Sequence, residues 1–65
     1  MTLTVNGDTL VTEARTVSDL LKELGFDPAR IAVEVNLSII KKAEYAAYKL
    51  KDDDTVEVVN FVGGG

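Results

Sequence analysis

The residues best suited to chemistry are Gly63-Gly64-Gly65, where three of the chain's five glycines end in a carboxylate. Without a Cβ, such a run can lie close to walls on both sides and take φ values that other residues avoid, so another protein can thread it into a narrow cleft. A terminal carboxylate, with a reference pKa of about 3.3–3.7, is an anion near neutral pH and resists nucleophilic attack until a good leaving group is attached. Adenylation by a partner enzyme would supply one. The chain itself has Cys 0 and His 0, which removes cysteine nucleophiles, thiolate and imidazole metal ligands, and the commonest general base. No acid/base pair stands out either. The chain is therefore expected to be the substrate of such a step, with no catalytic residue and no metal of its own. The alternative reading of the glycine run is a frayed terminus.

A tail of this kind needs a small rigid body to present it. At 65 residues, 46% of them hydrophobic, the chain has room for one thin core, since a domain of this size hides only roughly 60% of its unfolded surface. Thr2-Leu3-Thr4-Val5 alternates polar and apolar, Thr9-Leu10-Val11-Thr12 does so more loosely, and Asn6-Gly7 between them predicts a β-hairpin. Thr16-Val17-Ser18-Asp19 has the form of a capping box and predicts a helix start. Val17, Leu20, Leu21 and Leu24 then form one apolar stripe at helical spacing, and Gly25 with Pro28 marks the stop.

Ile31, Val33 and Val35 alternate with Ala32, Glu34 and Asn36, which predicts a strand that turns at Asn36-Leu37-Ser38. From Ile39 to Leu50 the pattern is ambiguous, with a short helix or 3₁₀ turn around Lys41–Ala47. Asp52-Asp53-Asp54 reads as a solvated acidic turn, and Thr55 to Phe61 as the last strand, expected to pair with the first. In that strand Val56 and Val58 keep one phase while Val59 and Phe61 take the other, so it contains a bulge, is buried on both faces, or leaves apolar residues facing out. The last option is favoured in part. Val59, Phe61 and Val62 are thus divided between sealing the core and offering a partner-binding patch, with Phe61 the favoured anchor. The element order gives an α+β layout in which one amphipathic helix crosses a small mixed sheet, and a β-grasp fold satisfies it. Residues 1–62 form the single domain, and 63–65 are expected to be a flexible tail.

Lys+Arg 7 against Asp+Glu 11 leaves a net charge of −4, which argues against nucleic acid as partner. Five of the basic residues, Arg30, Lys41, Lys42, Lys49 and Lys51, share one stretch, but Glu44 and Asp52 to Asp54 offset them. Tyr45 and Tyr48 are expected to cover the core edge with their hydroxyls in water. No apolar run approaches the roughly 20 residues that span a bilayer, and a soluble, cytoplasmic protein with no membrane partner is expected.

Five phrases, Val5-Asn6-Gly7-Asp8, Val17-Ser18-Asp19-Leu20-Leu21, Ile31-Ala32-Val33-Glu34-Val35-Asn36, Lys51-Asp52-Asp53-Asp54-Thr55-Val56-Glu57-Val58-Val59 and Phe61-Val62-Gly63-Gly64-Gly65, together resemble the ThiS family over nearly the whole chain. That resemblance implies a ubiquitin-like β-grasp sulfur carrier of thiamin biosynthesis that is not an enzyme. It further implies a ThiF-like adenylyltransferase that uses ATP on the terminal glycine, and a cysteine desulfurase or sulfurtransferase as sulfur source. The resulting thiocarboxylate would give its sulfur to a ThiG-like thiazole synthase. By position, Gly65 would carry the sulfur and Gly63 and Gly64 would be threaded. The chain departs from the family pattern in two predicted turns: Leu37-Ser38 follows Asn36 where Gly-Glu is more usual, and Asp53 stands where a turn glycine is common. The competing functions are a MoaD-like or other-pathway sulfur carrier, disfavoured by the short length, and a ubiquitin-like protein modifier. An inert interaction domain is the third.

Overall fold

The structure is a computed structural model that describes residues 1–60. Five strands form one mixed sheet in the order β2-β1-β5-β3-β4: β1 (Thr2–Val5), β2 (Asp8–Val11), β3 (Ile31–Val35), β4 (Ser38–Ile40) and β5 (Thr55–Asn60). The helix α1 (Val17–Leu24) lies between β2 and β3 in sequence. The last strand takes the centre of the sheet, parallel to β1 and antiparallel to β3, as the expected pairing of last strand with first requires.

Local chemistry explains the boundaries. Asn6 and Gly7 take φ 48 and 85, the left-handed pair that a two-residue turn needs to match strand twist. The Thr16 side chain caps α1 by accepting from the Asp19 N–H at 3.1 Å. The reciprocal half of the predicted box is displaced by one residue: the Asp19 carboxylate accepts from the Arg15 N–H at 3.4 Å. At the other end Gly25 has φ 78, its N–H donates to the Lys22 carbonyl, and the Phe26 N–H donates to the Leu21 carbonyl at 2.9 Å. This is the paired closure that satisfies the last carbonyls of a helix.

The core is one layer between α1 and the sheet. Val17, Leu20 and Leu21 pack against Leu3, Val5, Ile31, Val33, Val35, Val56 and Val58, while Leu24 is only partly buried. Alternation therefore identified the inward face of every long element. It did not identify β4, which is three residues long with one buried side chain, Ile40. Beyond β4 the ambiguous stretch contains a 3₁₀ turn at Lys42–Glu44, as one of the two expected forms. A second such turn, Pro28–Arg30, capped by the Asp27 side chain, follows the helix and was not expected.

Two expectations are corrected. Tyr45 is buried, with 4% exposure, and its side chain belongs to the core cluster, so its ring fills the core instead of standing with a wetted hydroxyl. Burial pushes its pKa above the ordinary 10.0, partly offset by the backbone of Val33. A raised acid pKa in the folded state means that the unfolded chain gives up this proton first. The contribution to stability is therefore complete below about pH 10 and is lost as pH rises through the folded value. Urea titrations should show stability falling with pH above about 10, and more steeply than in Tyr45→Phe. The acidic turn is also more than a solvated loop. Asp54 is buried and accepts from the Lys51 N–H at 2.8 Å and from the Asn36 amide at 2.9 Å, while Asp52 accepts from the Thr2 N–H at 2.7 Å.

The two departures from the family pattern fall where the backbone is left-handed. Asn36 and Leu37 have φ 51 and 73 in the β3–β4 turn, and Asp53 has φ 70. A leucine there meets the Cβ penalty that glycine avoids, and Leu37 gains nothing from burial because it is 89% exposed. Leu37→Gly is expected to stabilise the fold by about 1 kcal/mol, read as a rise in the urea midpoint at constant slope.

Candidate functional site

The site is built around the far end of β5. Its ladder with β3 runs without a bulge from Val35↔Val56 to Ile31↔Asn60, so this strand stays straight and central to residue 60. Val56 and Val58 point into the core, whereas Val59 turns to the opposite face of the sheet and is 52% exposed. Of the three options open from the sequence, outward-facing apolar residues is the one the structure adopts for Val59. Phe61 and Val62, offered as partner-binding residues, and Gly63, Gly64 and Gly65, offered as threaded tail and sulfur-bearing end, lie outside the described residues.

On the β1 side a single side chain holds this end. β1 stops at Val5, opposite Val56, so the backbone of Val58 has no strand partner there. Asn6 fills the place. Its side-chain carbonyl accepts from the Val58 N–H at 2.8 Å, its amide donates to the Val58 carbonyl at 3.2 Å, and its own backbone N–H donates to the Val56 carbonyl at 2.9 Å. An asparagine side chain has the same donor and acceptor as a peptide unit, so it continues the ladder by one step. Asn36 does the same on the other side of β5, accepting from the Thr55 N–H at 2.9 Å and donating its own N–H to the Thr55 carbonyl at 2.8 Å. The sequence marks both asparagines as turn residues, and nothing in it signals these second roles, because they depend on which strand lies beside the turn.

Among the described residues no group of three or more Asp, Glu, His or Cys side chains is placed to hold a metal ion. No described helix is long and apolar enough to cross a membrane. What the geometry provides is a rigid ladder, bonded on both sides, that ends one residue before an apolar pair and a glycine run.

A mixed five-stranded sheet with one helix across it, its last strand inserted between the first and third, defines a ubiquitin-like β-grasp domain. The crystal structure of a thiamine biosynthesis protein, ThiS, from Geobacter metallireducens superposes with a TM-score of 0.85 at 33% identity, covering 100% of both chains. The model of the ThiS family matches residues 2–65, and the chain belongs to that family. A sulfur carrier protein ThiS from Bacillus subtilis is 42% identical over 50 residues, 77% of this chain and 76% of its own. Thiazole synthases from Magnetococcus marinus and Paramagnetospirillum magneticum are 42% and 44% identical over 66 residues, and the chain spans 20% of their length.

Proposed function

We propose that the protein is a cytoplasmic sulfur carrier for the thiazole moiety of thiamin, acting through a thiocarboxylate on Gly65. A ThiF-like enzyme joins the Gly65 carboxylate to AMP from ATP, which makes the carbonyl carbon electrophilic. A persulfide supplied by a cysteine desulfurase or sulfurtransferase displaces AMP, and the thiocarboxylate that follows gives its sulfur to a ThiG-like thiazole synthase. The chain contributes presentation. A bare backbone enters the cleft of each enzyme, while the β-grasp body keeps the strand leading to it in one direction.

The observation that carries this reading is the family match, which continues through residue 65 and so includes the glycine run. Similarity to a segment of thiazole synthases supports a thiazole synthase as the recipient, since fusing two proteins raises their effective concentration when they act in sequence. Intact mass after incubation with ATP, a ThiF-like enzyme and a sulfur donor tests it. Exchange of one oxygen for sulfur is expected. A covalent adduct to a second protein would assign the chain to the protein modifiers instead, and an unchanged mass would make it an inert module.

A further inference from the structure

The face of the sheet turned away from α1 is built in two rows. Register places Ile39, Glu34 and Glu57 side by side on β4, β3 and β5, with Ala32 and Val59 paired in the row nearer the end of β5. Ile39 is 75% exposed and Val59 is also exposed. Glu34 and Glu57 stand directly opposite one another, an arrangement of like charges that costs stability. Among the described residues the one ion pair joins Arg30 to Asp27, so no basic side chain of the chain neutralises these two carboxylates.

We propose that this face docks the enzyme that grips the chain's terminal glycines, and that the enzyme presents an arginine to Glu34 and Glu57 and apolar side chains to Ile39, Ala32 and Val59. The proposal rests on the carrier reading above. Charge decides the occupant. A second copy laid face to face would set its own carboxylate pair against this one, between chains that each carry −4. A guanidinium brings a planar fork of donors that can bridge both carboxylates, and exposed apolar residues around a charged contact match the makeup of interface cores. Position decides which enzyme: Val59 lies on this face two residues before residue 61, so a protein holding the tail must cover it.

The test is Glu57→Arg in the full chain. The free variant should melt at a higher temperature, because an opposite pair replaces a like pair. In ATP-dependent activation by the ThiF-like enzyme its KM should rise about tenfold or more with kcat nearly unchanged, as for lost docking without lost chemistry. The double change Glu34→Gln with Glu57→Gln keeps the shape of the face. It should give a smaller rise in KM and a weaker dependence of KM on salt. An unchanged KM in both variants overturns the docking proposal and leaves the carrier reading standing. An unaltered chain that is neither bound nor activated overturns both. A dimer of the unaltered chain that Ile39→Ser dissolves would assign the face to a second copy and overturn the proposal as well.

Discussion

Removing Gly64 and Gly65 is expected to abolish sulfur loading completely while leaving the thermal midpoint of the domain where it was. The two halves of this result have separate causes. All the buried apolar residues lie between Leu3 and Val58, and β5 is paired through Asn60, so the deleted residues add nothing to that core. The chemistry, in contrast, has a single address. Shortening the chain leaves Gly63 as the new terminus, and a carboxylate moved two residues back, by up to roughly 7 Å of extended backbone, no longer reaches the nucleotide. Gly65→Val tests the same claim without changing length: a branched side chain restricts φ and widens the strand where a narrow cleft must close on it, and loading should fall by orders of magnitude. Circular dichroism melts alongside a loading assay check both halves.

Asn6→Ala is expected to cost about 2–3 kcal/mol, a large share of the roughly 3–10 kcal/mol that a chain of this length commands. Two losses add. Alanine at φ 48 meets a steric penalty of about 1 kcal/mol or more, and both side-chain bonds to Val58 disappear, at about 0.5–1.5 kcal/mol each. Asn6→Gly separates the two, because it keeps the left-handed turn and loses only the bonds, and should cost about half as much. Urea unfolding of the three chains provides the comparison. Equal costs for alanine and glycine would mean that the turn conformation is unstrained and that the ladder extension accounts for the whole effect.

Much of this architecture can be read from residue order, and the reasons are local. Asn6-Gly7 fixes a hairpin, Thr16 and Gly25 bracket a helix, and strict alternation in Ile31–Val35 and Val56–Val58 names the inward side chains. What stays hidden depends on contacts between distant segments. β4 is too short for a period and is reached through a turn whose second residue is leucine, where glycine would have announced it. Tyr45 follows a polar run and yet enters the core, because the segment after β4 folds under the sheet. Asp54 looks like one of three equivalent carboxylates until Asn36, 18 residues away, is seen to bind it. The opposed pair Glu34 and Glu57 exists only once register is known. For the site the balance is different. The glycine run and its chemistry are legible in sequence alone, while the ladder that aims it, with Asn6 as its last rung, is legible only in the fold.

The central claim is that sulfur resides on the last carbon of the chain. Fragmentation of the intact, loaded protein in a mass spectrometer tests it most directly. The account predicts that the oxygen-to-sulfur mass difference appears in every fragment containing Gly65 and in none that lacks it. Sulfur found on any other residue, or a Gly65 carboxylate that remains unmodified while thiazole is formed, would contradict it.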